Sequence, residues 1–206
     1  SGADTFDAAA AKATLTGPGY SLAANAFRYV YATADGNAGD KAVFHDGATA
    51  ADTFVGSSAA AYMTNNTGYF NKATSFKLVQ ASSTGGADTA TLTGSAGDDT
   101  FNAYPTTANF SNNGSFRIEL TKFPSIAASF GGGKDTANFF DSSGADTFDA
   151  WPTKAVLSGA YSSGSFKNQA NGFRYVYATA NVGGVDKALF HDNATGTDYF
   201  TGSSGA

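Results

Sequence analysis

Four near-identical blocks punctuate the chain: Ala3-Asp4-Thr5-Phe6, Ala51-Asp52-Thr53-Phe54, Asp98-Asp99-Thr100-Phe101 and Ala145-Asp146-Thr147-Phe148. A degenerate fifth is Thr197-Asp198-Tyr199-Phe200. Their aspartates step by 48, 47, 47 and 52 residues (4 to 52, 52 to 99, 99 to 146, 146 to 198). An internal repeat of this period constrains the fold more than any single residue does, because each unit must bury its apolar face against the next. The repeat divides the 206 residues into units at 1–46, 47–95, 96–142 and 143–192, with a partial fifth at 193–206. No separate globular domains are expected.

The fourth unit reads most clearly. Residues 144–150 alternate as a short strand, and Trp151-Pro152 breaks it. Residues 153–159 form a second strand, and 160–172 a polar bridge containing Phe166. Residues 173–180, rich in aromatic and β-branched side chains, form the third strand, and 186–192 the fourth, after a turn at Gly183-Gly184. The long strand carries Val30, Val79, Ile126 and Val176 in one register, with Ala32, Ala81, Ala128 and Ala178 two residues later. An offset of two places both on the inward face. Phe27, Phe76, Phe123 and Phe173, three residues before the Val/Ile position, fall on the opposite parity and are assigned to a corner. Ala42, Ala90, Ala137 and Ala188 recur in the fourth strand, as small inward residues suited to strands that stack on their counterparts in the next unit.

The acids agree with an all-β reading. Of 17 acidic residues only Glu119 is a glutamate. Asp favours turns and Glu favours helices. A formal net charge of −5 argues against nucleic acid, which needs clustered Lys and Arg. There is no cysteine, so neither a disulfide nor a thiolate metal site can form. No apolar run is long enough to cross a membrane as a helix.

Two architectures fit four-stranded units of about 47 residues. One is a β-solenoid (β-helix); the other is a four-bladed β-propeller. A slower period favours the solenoid. Units one and four share Phe-Arg-Tyr-Val-Tyr-Ala-Thr-Ala at 27–34 and 173–180, and Phe-His-Asp at 44–46 and 190–192. That three-unit recurrence does not suit a four-fold ring.

Locally, Gly94-Ser95-Ala96-Gly97-Asp98-Asp99-Thr100-Phe101-Asn102 resembles the calcium-binding nonapeptide of bacterial hemolysin-type repeats, lacking its second Gly. That family's motifs recur every nine residues. Here the paired aspartates lie 11 or 12 apart (40 to 52, 88 to 99, 135 to 146, 186 to 198), so a continuous calcium ladder is not expected. The whole unit, best seen at 88–107 and 135–153, is similar to the long arrays in giant secreted repeat proteins of planctomycete-type bacteria. That resemblance implies an extracellular or cell-surface structural role.

Asp46 with Asp52, Asp98 with Asp99, Asp141 with Asp146 and Asp192 with Asp198 are the candidate calcium ligands, and calcium is the one cofactor these residues suit. The same aspartates suit the capping of turns. His45-Asp46 and His191-Asp192 hold the only histidines, and they read as turn residues at equivalent places. Tyr29, Tyr31, Tyr175 and Tyr177 alternate with inward residues and are the candidates for outward contact with glycan or protein. Arg117, Glu119 and Lys122 form the most divergent charged group. The expectation is a non-enzymatic structural protein that builds or extends a fibre by stacking on copies of itself. A calcium-dependent adhesin and a β-helix polysaccharide lyase or hydrolase are the alternatives.

Overall fold

The computed structural model describes residues 2–37, 39–65 and 67–193. Each unit holds five strands. The first has β1 (Thr5–Ala8), β2 (Lys12–Gly17), β3 (Tyr20–Asn25), β4 (Tyr29–Thr33) and β5 (Lys41–His45). The second has β6 (Thr53–Ser57), β7 (Ala60–Thr64), β8 (Phe70–Thr74), β9 (Leu78–Ser82) and β10 (Thr89–Thr93). The third has β11 (Thr100–Ala103), β12 (Thr107–Asn112), β13 (Phe116–Thr121), β14 (Ser125–Ser129) and β15 (Thr136–Phe140). The fourth has β16 (Thr147–Trp151), β17 (Lys154–Tyr161), β18 (Gly164–Asn171), β19 (Tyr175–Thr179) and β20 (Lys187–Phe190).

The expectation of four strands per unit therefore needs correcting. The segment read as a polar bridge at 160–172 contains the third strand, β18. It was masked because one of its inward positions is an amide. Asn168 is 1% exposed and its Nδ2 donates to the Tyr104 carbonyl at 2.9 Å. Asn71 does the same in β8, donating to the Ala9 carbonyl at 3.0 Å. A buried amide is tolerated when it is bonded, and here it hides the apolar alternation.

The strands form two ten-stranded sheets, ordered β19-β15-β11-β12-β13-β9-β5-β1-β2-β3 and β20-β16-β17-β18-β14-β10-β6-β7-β8-β4. In each unit the first three strands meander antiparallel within one sheet. The fourth strand crosses to the other sheet and the fifth returns to lie parallel beside the first. The next unit then starts in the opposite sheet. The result is a β-solenoid rod. Ten strands at the usual spacing span about 45 Å. Among the described residues no strand of the fourth unit pairs with the first unit, so the propeller alternative is excluded.

Crossing between sheets three times per unit has a consequence for register. Fourth strands alternate between sheets, so Val30, Val79, Ile126 and Val176 never stack on one another. Val79 instead lies opposite Ala42 and Ile118, and Ile126 opposite Ala90 and Asn168. The expected counterpart-on-counterpart stacking is thus replaced by pairing between different strand types.

The abundance of Ala follows from how the core packs. Phe6 pairs with Ala42 and Ala8 with Phe44; Phe101 pairs with Ala137 and Ala103 with Phe139. Large and small residues alternate as on a checkerboard, so rings interdigitate between strands 4.7–4.9 Å apart. The rings form an edge-to-face and tilted series: Phe6–Phe44 at 6.0 Å, Phe44–Phe54 at 5.7 Å, Phe101–Phe139 at 6.1 Å and Phe139–Phe148 at 5.9 Å between centroids.

The Phe assigned to a corner is at one. It follows a residue at positive φ (Ala26 58°, Ser75 64°, Lys122 62°, Gly172 73°) that turns the chain out of the third strand. Phe76, Phe123 and Phe173 are 5%, 2% and 7% exposed. Each packs on the first-strand Phe of the preceding unit: Phe76 on Phe6, Phe123 on Phe54 and Phe173 on Phe101. Phe27, with no preceding unit in the structure, is 65% exposed.

Candidate functional site

The repeated aspartates gather along the two edges of the rod, alternating from unit to unit as successive units start in opposite sheets. In every unit the Asp before the first strand donates its backbone N–H to the Asp before the fifth. Asp4 donates to Asp40 Oδ1 at 2.9 Å, Asp52 to Asp88 at 2.7 Å, Asp99 to Asp135 at 2.8 Å and Asp146 to Asp186 at 3.0 Å. The carbonyl of the first Asp accepts in return from the residue after the second. Most of these side chains are buried: Asp40, Asp52, Asp88, Asp99, Asp135 and Asp146 are all 2% exposed or less. Two adjacent parallel strands are thereby locked at their starts, which explains why the two aspartates sit 36 residues apart in three units.

The densest cluster is Asp46, Asp52 and Asp88, whose carboxylate oxygens lie within 4.8 Å of one another. Sequence reasoning paired the first two but left Asp88 out of the candidate ligands. The missed signal was its 36-residue spacing from Asp52. All six oxygens accept from protein donors. Asp46 takes the Thr84 N–H and hydroxyl at 2.8 and 2.7 Å. Asp52 takes the Gly47 N–H at 2.9 Å and the Tyr69 hydroxyl at 2.8 Å. Asp88 takes the Asp52 N–H and the Ser83 hydroxyl, the latter at 2.7 Å. Burial pushes the Asp88 carboxyl above the usual range, against the pull of those two bonds, and the neighbouring Asp46 pushes it further. Burial and the Asp52 carboxylate likewise raise the Tyr69 phenol.

The other candidate pairs are less close-knit. Asp98 is exposed and accepts the Lys134 N–H at 2.8 Å, while buried Asp99 turns to the N–H and hydroxyl of Ser95. Asp146 caps the Ser142 turn through both oxygens. Asp141 accepts the Val182 N–H at 2.9 Å and keeps Oδ1 buried without a partner. Asp135 keeps Oδ2 in the same condition, and burial raises its carboxyl too. Asp192 is exposed, and Asp198 lies outside the described residues. Turn capping accounts for the observed bonds. Calcium takes six to eight oxygens, and among the described residues only the Asp46–Asp52–Asp88 corner brings three carboxylates close together.

His45 and His191 do not pair with the aspartates that follow them. They reach across to the first strand, His45 to Asp7 at 3.4 Å and His191 to Asp149 at 2.8 Å. His191 also stacks on Trp151, with Lys154 over the same ring at 4.3 Å. Arg117 and Glu119 share a face and form an ion pair at 2.6 Å, with Gln80 donating to Glu119 at 2.8 Å.

The four tyrosines are outward and exposed: Tyr29 56%, Tyr31 66%, Tyr175 42% and Tyr177 57%. They occupy β4 and β19, which end the two sheets at opposite ends of the rod. On the first, Tyr29 and Tyr31 approach the Phe70 ring, which stacks on Tyr62 at 5.1 Å. At the other end a cavity of about 360 Å³ opens between the sheets, lined by Phe148, Leu157, Val176, Ala178, Ala188 and Phe190.

Comparison with protein-family models, curated proteins and solved structures finds no significant match to the chain. What the fold defines is a repeat β-solenoid, and its role has to be argued from its surfaces.

Proposed function

We propose that this chain is a non-enzymatic structural element that builds or extends a fibre by stacking end to end, outside the cell or on its surface. One observation carries the reading: among the described residues, apolar side chains stand exposed at both ends of the rod. Leu22 and Phe27 are 60% and 65% exposed at one end, Val185 and Phe190 87% and 61% at the other. End strands with unpaired edges template further strands. The extracellular setting rests on the likeness of the repeat to arrays of secreted proteins. Negative-stain electron microscopy and sedimentation over a concentration series test the assembly. Filaments or a ladder of oligomers are expected, and a monomer up to millimolar concentration would overturn it.

An adhesive role is the second reading, favoured by exposed Tyr29 and Tyr31 beside the half-buried Tyr62–Phe70 stack. Flat aromatic faces suit stacking against sugar rings. Its calcium dependence would reside at Asp46, Asp52 and Asp88. A glycan array with and without chelator tests it. The lyase or hydrolase reading draws least support, because Arg117 and Glu119 are engaged with each other and with Gln80.

A further inference from the structure

The three internal junctions follow one rule. The fourth strand of a unit pairs parallel with the third strand of the next: β4 with β8, β9 with β13 and β14 with β18. The fifth strand pairs parallel with the fourth strand of the next: β5 with β9, β10 with β14 and β15 with β19. The corner Phe of the next unit then drops onto the first-strand Phe of the unit before it. Phe173 also touches Phe110, at 6.2 Å, so it sits between the rings of the first and second strands.

At the far end of the rod the same positions, themselves only 8% and 4% exposed, line an open cavity. Phe148 and Leu157 occupy the places of Phe101 and Phe110, paired with each other as those are. Both line the 360 Å³ cavity. Val176 and Ala178 stand exposed or half-exposed where Val79, Ala81, Ile126 and Ala128 are buried. At the near end, Phe27 is the corner Phe without a seat.

Sheet parity decides whether the two ends of one rod match. Each unit reverses the sheets, so after four units the starting arrangement returns. β19 and β3 end the same sheet, and β20 and β4 end the other. A second copy shifted along the rod continues both sheets without turning over.

Resting on the end-to-end reading above, we infer that the occupant of the end cavity is Phe27 of a second copy, joined head to tail. β19 pairs with the partner copy's β3, and β20 with its β4. The internal registers transfer directly. Val176 faces the next copy's Leu22, Tyr177 its Ala23 and Ala178 its Ala24. Lys187 faces its Tyr29 and Ala188 its Val30. Phe27 enters between Phe148 and Leu157. Such a contact uses different surfaces on its two sides, so it propagates as an open filament unless the rotation between copies closes a ring.

Two measurements on the 206-residue chain test this. Phe27→Asp alters a residue already 65% exposed; it should leave the circular dichroism of the dilute protein unchanged, lower its melting temperature by only about 2–4 °C and weaken self-association at least about tenfold. The chain has no cysteine, so register can be read by cross-linking. Ala23→Cys mixed with Tyr177→Cys should form an intermolecular disulfide on mild oxidation. Ser21→Cys mixed with Tyr177→Cys should not, since a two-residue offset places the Cα atoms beyond about 7 Å. Assembly that is indifferent to Phe27→Asp and cross-links out of register would overturn this junction and leave the fibre reading standing. A chain that stays monomeric would remove both.

Discussion

The corner phenylalanines offer a mutational series with its own control. Phe27, Phe76, Phe123 and Phe173 occupy the same local turn, each after a residue at positive φ, and differ in whether a preceding unit covers them. A Phe side chain presents roughly 200 Å². The interior three are more than nine-tenths buried, whereas Phe27 is 65% exposed. The difference is about 120 Å², or about 3 kcal/mol at 25 cal/mol per Å². Alanine at 76, 123 or 173 should therefore destabilise by about 4 kcal/mol, including the cavity left behind. Alanine at 27 should destabilise by about 1 kcal/mol. For a chain of this size the first corresponds to a fall in melting temperature of about 8–16 °C and the second to about 2–4 °C. Thermal melts of the four variants at low micromolar concentration, before copies associate, read this directly. Equal losses at all four sites would refute the reasoning, since the Phe would then act through its own turn and not through the neighbouring unit.

Three further outcomes are expected. Tyr69→Phe deletes the hydroxyl that donates to the buried Asp52 carboxylate at 2.8 Å, and should lower stability by about 2 kcal/mol in denaturant melts; no change would mean the bond contributes nothing. Gly159→Ala places a Cβ on Asp146 Oδ1 and should displace the carboxylate from its Ser142 turn, with a loss of about 2–4 kcal/mol. The same change at Gly17, opposite half-exposed Asp4, should be much milder, and equal effects would count against the turn-capping role. Asp135 has its carboxyl raised by burial, so the native state keeps a proton that the unfolded chain releases. Its contribution is fully present below the ordinary Asp value of about 4 and is lost as pH rises through the raised one. The stability of Asp135→Asn relative to the parent should therefore grow from pH 4 to pH 7, and parallel pH–stability curves would contradict the assignment.

The repeat, the all-β class, the inward Val/Ile and Ala positions and the corner Phe were all legible in the sequence, because each rests on a spacing. The third strand was not, because Asn71 and Asn168 replace apolar residues at inward positions and find their carbonyl partners 62 and 64 residues away. Nothing local marks such a bond. The aspartates were legible as turn residues but not as a network. Asp46 and Asp52 were paired by nearness in sequence, whereas Asp88 joins them only because β10, which follows it, runs parallel beside β6, which follows Asp52. The histidines were legible as equivalent positions, but their partners were not, because the fold sends each ring across to an aspartate of the first strand, Asp7 or Asp149.

The spacing of the aspartates shows which part of the unit is under constraint. The interval between the two in a unit is 36 in the first three (4 to 40, 52 to 88, 99 to 135) and 40 in the fourth (146 to 186). Most of the four-residue excess lies before the corner. The positive-φ residue comes 22, 23 and 23 residues after the first Asp in the first three units (4 to 26, 52 to 75, 99 to 122) and 26 in the fourth (146 to 172). There the β17–β18 hairpin has eight-residue strands, against six in β12 and β13. A hairpin can lengthen at its tip without disturbing the strands it joins, since each added pair extends the ladder and leaves the faces in phase. A single residue added inside a fifth strand has no such outlet: it would turn the Ala/Phe checkerboard outward and slide one Asp off the N–H it receives. Constraint therefore falls on the parallel seam between first and fifth strands, where the N–H donation from Asp to Asp and the Phe–Ala pairing are fixed together. The hairpin tips are free to vary in length, and whatever distinguishes one unit's surface from the next is placed there and on the outward faces.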